Sequence, residues 1–179
     1  MSSPASSREQ EFEAVALCHS QSLLRVARRL TSHSAAEDLV QDCLLLAWRS
    51  FHQFQRGTNA RAWLFRILFN AFYAQGRKLR RVPDLIPLNA EVRVYSSRST
   101  TAPENAIEIS RALDSLQFDH RTVLMLGVVE GFTCAEIAQI LSVPVGTVMS
   151  RLSRARQAMR TKLIEGRPQP QLATAKDVS

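Results

Sequence analysis

Apolar residues recur every three to four positions through the first half of the chain, and this spacing predicts helices. The pattern covers residues 9–30, 34–51 and 60–81. Ser34-Ala-Ala-Glu37 has the spacing of a capping box at the start of the second helix. The third helix is apolar on more than one side, so we expect it to lie between its neighbours. These patterns predict a helical N-terminal domain.

The sequence predicts a second helical domain beyond a break in the pattern. Residues 82–103 contain Pro83, Pro87 and Pro103 and have no sustained periodicity, which predicts a flexible linker. Helical stretches follow at 106–116, 120–130, 134–141 and 148–164, and their expected caps and stops are Asp119, Gly131, Thr133 and Thr147. We therefore predict an all-α fold of two small helical domains, at 9–81 and 104–164, with disordered ends at 1–8 and 165–179.

Charge and composition limit the partners, location and cofactors that we expect for this chain. The net charge of +7 favours a polyanionic partner, although a basic globular protein without one has the same charge. No apolar run approaches the ~20 residues that span a bilayer, so we expect a cytoplasmic protein. Cys18, Cys43 and Cys134 are widely separated and form no CxxC pair, so we expect neither disulfides nor a metal or other cofactor.

The end of the chain contains the form of a helix-turn-helix. A short capped helix, a turn containing Gly146 and a longer helix with a basic exposed face are typical of this motif, whose second helix enters the DNA major groove. The alternative is a solvated basic helix in an ordinary bundle. The candidate base-reading residues occupy the first two turns of the second helix: Thr147, Met149, Ser150, Arg151, Ser153 and Arg154.

A second candidate site lies at the end of the third helix, where Arg77, Lys78, Arg80 and Arg81 follow Tyr73. Basic residues beside aromatic rings suit single-stranded nucleic acid, since rings can stack on unpaired bases. Aromatic residues at helical spacing are more often core, so we assign the three phenylalanines to packing: Phe65, Phe69 and Phe72.

Two sets of motifs resemble one family. Asp38-Leu-Val-Gln-Asp42, Ala47-Trp48 and Gly57-Thr-Asn-Ala-Arg-Ala-Trp-Leu-Phe-Arg-Ile67 with Asn70 resemble the first conserved domain of extracytoplasmic-function (ECF) sigma factors. Glu130-Gly-Phe-Thr-Cys-Ala-Glu-Ile-Ala-Gln-Ile-Leu141 and Val143-Pro-Val-Gly-Thr-Val-Met-Ser-Arg-Leu-Ser-Arg-Ala-Arg156 resemble the second. The likeness covers residues 11–163 in the family's order.

The resemblance implies roles for these residues. The second predicted helix would bind the clamp coiled coil of core RNA polymerase through Asp38, Leu39, Val40, Gln41 and Asp42. Asn70 would lie near a pocket for a flipped-out base of the minus-ten element, with the basic cluster on the backbone. The helix-turn-helix would read the minus-35 element of promoter DNA, and an anti-sigma factor would be a further partner. Met149 stands where many relatives have a basic residue, so promoter specificity cannot be transferred.

Two alternatives to a sigma factor stay open at this stage. A sigma-like decoy would keep the fold, bind an anti-sigma protein and lack the DNA contacts, but Arg151 and Arg154 are retained. A conventional helix-turn-helix regulator would leave the segment from Asp38 to Asn70 unexplained. We expect no enzyme, because the carboxylates of the second helix lie at helical spacing without a neighbouring nucleophile and base.

Overall fold

The computed structural model describes residues 4–81 and 104–165, with side chains described for 7–77 and 107–164. Every element in these ranges is helical. The N-terminal domain contains α1 (Pro4–Leu17), α2 (Ser20–Leu30), α3 (His33–Ser50), a 3-10 turn (Phe51–Gln53) and α4 (Ala60–Arg81). The C-terminal domain contains α5 (Glu104–Asp114), α6 (Phe118–Leu124), a π-helical turn (Met125–Val129), α7 (Cys134–Leu141) and α8 (Val145–Glu165). The predicted linker at 82–103 and the tail from 166 onward lie outside the described residues.

Several predicted boundaries were wrong. The first predicted helix is two helices, α1 and α2, which meet at a turn around Cys18 and His19. Helix α1 begins at Pro4, within the segment predicted to be disordered. Helix α3 begins at His33, with Ser32 rather than Ser34 at its N-cap and no side-chain cap. The turn at Cys18 and His19 and the start at His33 carry no glycine or proline that would mark them, whereas Pro4 is a helix-start signal that the sequence analysis did not use.

The caps of the C-terminal domain were predicted with mixed success. Gln117 rather than Asp119 precedes α6, and Thr147 lies inside the first turn of α8 instead of capping it. Gly131 ends the preceding helical segment with φ +71°, as expected. Thr133 caps α7 in a complete capping box with Glu136. The confirmed caps are the two whose residue types have a specific backbone role.

Helix α4 is the centre of the N-terminal domain, as its all-round apolar character predicted. It packs against α2 and α3 on one side and against α7 on the other. Leu64, Phe65, Leu68 and Phe69 have no exposed surface. Burying such a residue completely contributes roughly 1.5–3 kcal/mol, so this helix supplies a large share of the core energy. None of the helices in the described ranges is long and apolar enough to cross a membrane.

The two domains pack against each other, and their buried residues form one continuous apolar cluster. Phe65 of α4 meets Phe132 edge-on, with 5.1 Å between ring centroids. Phe72, further along α4, stacks on Phe118 of α6, with 5.7 Å between ring centroids. The phenylalanines assigned to packing therefore pack between the domains as well as within one.

Candidate nucleic-acid interface

The helix-turn-helix is formed by α7 and α8. The Thr133 hydroxyl accepts from the Glu136 amide at 3.3 Å, while the Glu136 carboxylate accepts from the Thr133 amide at 2.8 Å, which fixes the start of α7. Helix α7 ends at Leu141, and its C-cap Ser142 has a φ of 54°, which lies in the left-handed region. The turn closes when the Thr147 amide donates to the Pro144 carbonyl at 3.0 Å. These bonds fix the direction in which α8 leaves the turn.

One face of α8 is buried and the other is free. Val148, Leu152 and Ala155 lie at helical spacing and are at most 4% exposed, packed with Ile137 and Ala138 of α7. Because these three buried residues follow the i, i+4, i+7 spacing, the side chains on the opposite side of α8 face outward in two adjacent stripes. Met149, Ser150, Ser153 and Arg154 are exposed there, and Arg156 and Arg160 extend the surface toward the C-terminus.

Two of the predicted base-reading residues are less free than the others. Thr147 is half-buried. The Arg151 guanidinium pairs with the Asp119 carboxylate of α6, which leaves 26% of its side chain exposed. The structure thus places four of the six predicted residues fully on the surface. The predicted base contact by Arg151 requires its guanidinium to leave Asp119.

Helix α4 presents a second polar stripe. Arg66, Asn70, Tyr73 and Arg77 recur at i, i+4, i+7 and i+11, and all four are exposed. The sequence analysis did not identify Arg66, although it lies four residues before Asn70 and therefore on the same face of the helix. Lys78, Arg80 and Arg81 continue α4, but their side chains lie outside the described residues.

The predicted polymerase-binding residues separate into two groups. Asp38, Gln41 and Asp42 are exposed on α3, and Gln75 of α4 donates to Asp42 at 3.1 Å. Leu39 and Val40 are 0% and 8% exposed, so their side chains belong to the core and cannot contact a partner in this structure. A contiguous motif on a helix faces all directions, so a direct polymerase contact by these two residues stays a prediction.

Two residues missed by the sequence analysis extend this surface. Leu45 and Leu46 follow on the exposed side of α3, with 55% and 42% of their surface accessible. Leu45 lies four residues after Gln41 and three after Asp42, so it belongs to the same stripe. Trp48, also in α3, packs edge-on against Phe12 of α1, with 5.2 Å between ring centroids.

The cysteines are free thiols in different environments. Cys18 is exposed, Cys134 is half-buried and Cys43 is buried in the N-terminal core. Burial raises the pKa of the Cys43 thiol to about 12. Within the residues that the structure describes, no group of three His, Cys, Asp or Glu side chains could hold a metal ion.

Comparisons with known proteins agree with this geometry. Residues 16–82 match the sigma-70 region 2 family, and residues 106–159 match sigma-70 region 4. The chain is 38% identical over 128 residues to the ECF RNA polymerase sigma factor EcfG of Rhodopseudomonas palustris, a match covering 72% of this chain and 71% of that protein. It is 35% identical over 148 residues to the ECF sigma factor SigM of Mycobacterium tuberculosis, covering 81% and 73%.

Solved structures give the same result. The sigma factor RpoE of Bartonella quintana, solved in complex with the anti-sigma factor NepR, is 31% identical with a TM-score of 0.66, covering 89% of this chain and 98% of that one. CnrH, solved in complex with the cytosolic domain of CnrY, is 25% identical with a TM-score of 0.63, covering 89% and 91%. On both sequence and fold, this chain belongs to the ECF family of RNA polymerase sigma factors.

Proposed function

We propose that this sigma factor binds core RNA polymerase through α3, opens the minus-ten element on α4 and reads the minus-35 element with α8. The observation that carries the proposal is the set of three separate exposed faces, on three helices that match two sigma regions in the family's order. As a sigma factor it regulates and directs the polymerase, and the synthesis is done by the polymerase. Its place of action is then the cytoplasm, where polymerase and chromosome meet.

The stripe on α4 suits a melted strand. Unstacking a base costs a few kcal/mol, and a site that rewards one particular extruded base couples melting to sequence selection. Asn70 offers an amide that can both donate and accept hydrogen bonds, and Tyr73 lies within one turn of it. Arg66 and Arg77 lie on either side and suit the phosphates. We assign base capture to Asn70 and backbone contacts to the basic residues through Arg81.

The surface of α8 suits duplex DNA. A recognition helix in the major groove uses its N-terminal turns for base edges and its basic residues for phosphates. Arg154 is exposed and has the fork geometry that matches the O6 and N7 acceptors of guanine. Met149 is 59% exposed and can contact only apolar groups such as a thymine methyl. We expect Arg156 and Arg160 to contact the backbone.

The polymerase-binding face of α3 has the composition of a protein interface. Its exposed leucines, Leu45 and Leu46, are bordered by the polar Asp38, Gln41 and Asp42. An apolar centre with a polar rim is the usual anatomy of such surfaces. Leu39 and Val40 support this face from below.

The polymerase face can be tested with one charge reversal. Asp42→Arg should weaken binding to core polymerase at least tenfold, because it replaces one of the two carboxylates on the polar rim of this face with a cation. Glu13→Arg makes the same charge change at an exposed position on α1 and should bind like the wild type. Equal affinity of Asp42→Arg and the wild type, measured by fluorescence titration, would remove this face from the interface.

An anti-sigma factor is a proposed partner, because RpoE was solved in complex with the anti-sigma factor NepR and CnrH in complex with the cytosolic domain of CnrY. The C-terminal domain has an apolar groove that such a partner could cover, lined by Leu124, Val128, Met159 and Leu163. Val128 on its edge is 62% exposed. Exposed apolar patches of this kind mark interaction sites. Co-purification from the native cell tests the proposal, and repeated recovery of the factor without a partner would contradict it.

A further inference from the structure

One buried carboxylate of the C-terminal domain is held by two arginines of the N-terminal domain. The Glu130 side chain has no exposed surface. Arg25 donates to it from Nε at 2.8 Å and from Nη2 at 3.3 Å. Arg61 pairs with the same carboxylate and also donates to the Glu130 backbone carbonyl at 2.6 Å. In the described part of the chain, every hydrogen bond to this carboxylate comes from the other domain.

The arginines are themselves held in place. The Arg61 guanidinium lies 4.5 Å from the Phe132 ring centroid and 5.6 Å from that of Phe65. A cation over aromatic faces gains further attraction where water is excluded. Burial raises the pKa of the Glu130 carboxyl, but the hydrogen bonds and charges of Arg25 and Arg61 outweigh it and the pKa falls below its ordinary value. The contact therefore keeps its charge at neutral pH.

Two more carboxylates of the C-terminal domain accept hydrogen bonds from the N-terminal domain. Arg29 of α2 donates to Asp114 of α5 at 3.3 Å. The Asn59 amide donates to Glu136 of α7 at 2.5 Å. In each of these contacts the N-terminal domain supplies the donor and the C-terminal domain the carboxylate, so the two faces are complementary in charge.

This packing involves residues from both proposed DNA faces. Phe72 of α4 stacks on Phe118. Burial, and then the nearby Asp119 charge, raise the pKa of Tyr73, while Arg151 acts in the opposite direction. Asp119 follows Phe118 in the chain and pairs with Arg151 of α8, so the contact with α4 adjoins the start of the α8 surface. DNA bound at one face would compete with contacts made by the other domain.

We propose that Glu130, held by Arg25 and Arg61, is a latch that keeps the free factor closed and unable to engage both promoter elements. This inference rests on the proposed function and adds a regulatory step to it. Only the Glu130 carboxylate is fully buried, and neutralising it removes the charge that both arginines face, whereas separation of the domains hydrates all three groups. Loss of the Glu130 charge therefore favours the open chain.

The latch can be tested by small-angle X-ray scattering on the full chain. The wild type should be compact, with a radius of gyration near 16 Å, the value for about 179 compact residues. Glu130→Gln should exceed about 20 Å, because separating two compact domains moves their centres apart. Glu37→Gln is the matched control, because Glu37 pairs with Arg28 inside the N-terminal domain. It should stay compact.

A charge swap provides a second test that does not depend on Glu130. Arg29→Asp should expand the chain, and adding Asp114→Arg should make it compact again by restoring the pair in reverse. An expanded wild type, or a Glu130→Gln chain as compact as the wild type and equally helical by circular dichroism, would overturn the latch.

A transcription assay distinguishes a failure of the latch hypothesis from a failure of the proposed function. With limiting factor, Glu130→Gln should give about tenfold more run-off transcript if closed chains outnumber open ones ten to one. Equal transcript from both chains would overturn the inhibitory role. If neither chain supports transcription while Glu130→Gln still expands, the proposed function fails and the latch survives only as a structural contact.

Discussion

Two glycines near the helix-turn-helix should respond in opposite directions to the same substitution. Gly127 lies in the π-helical turn, and a Cβ there would meet Ile137 Cδ1 at 3.5 Å and Leu152 Cδ2 at 3.6 Å, both ordinary contacts. Gly131 has φ +71°, and a Cβ there would meet nothing within 4 Å. Space therefore does not limit either alanine, and the backbone conformation decides the sign.

The magnitudes follow from that difference. Gly127→Ala should raise the free energy of unfolding by about 0.5–1 kcal/mol, the gain of alanine over glycine inside a helix. Gly131→Ala should lower it by about 1–2 kcal/mol, the cost of the left-handed region for an L residue. For a packed chain of this size 1 kcal/mol corresponds to roughly 2–4 °C in Tm, so the two midpoints should differ by at least about 3 °C.

Thermal unfolding followed by circular dichroism measures both effects on the full chain. Gly76→Ala serves as a control, because its Cβ also meets nothing within 4 Å and its helix is regular, so it reports helix propensity alone. Destabilisation by Gly127→Ala beyond about 1 kcal/mol, or a neutral Gly131→Ala, would refute the reasoning. Either result would mean that the turn before α7 is built differently.

Three other tests address DNA reading, thiol reactivity and the interdomain ion pair. Arg154→Ala should weaken minus-35 binding by about 1–3 kcal/mol and relax selectivity at one position; uniform weakening across a mutated site series would remove its base-reading role. At pH 8 a thiol reagent should modify Cys43 about a thousandfold more slowly than a thiol of ordinary pKa, since its pKa is raised from 9.0 to about 12, while exposed Cys18 reacts quickly. Because the pKa of Glu130 in the closed form is lowered from 4.5, its ion pairs stabilise that form fully above pH 4.5. This stabilisation is lost as the pH falls through the lowered pKa, so scattering should show expansion only in that acid range.

The periodicity of the sequence was sufficient to predict the helices that form each core. Helix α4 was expected to be central, and its four fully buried residues confirm it. The capping box at Thr133 and the stop at Gly131 were also predicted, because both depend on local residue chemistry. Boundaries without such residues, at Cys18 and His33, were misplaced, since a turn made by ordinary residues has no sequence signal.

The functional faces were predicted less completely than the fold. Resemblance located the α3 motif, but only its exposed members, Asp38, Gln41 and Asp42, can reach a partner directly. The contacts that close the chain could not be predicted, because Arg25 and Glu130 are 105 residues apart and nothing local links them. Pairings of that kind depend on how the domains dock.

The most direct test of the central claim is run-off transcription by bacterial core polymerase, with and without this protein, on a promoter library built from the host's genome. The account predicts transcripts that require the protein and start downstream of a shared two-element motif. If the protein yields no such transcripts and does not bind core polymerase, the proposed function is wrong.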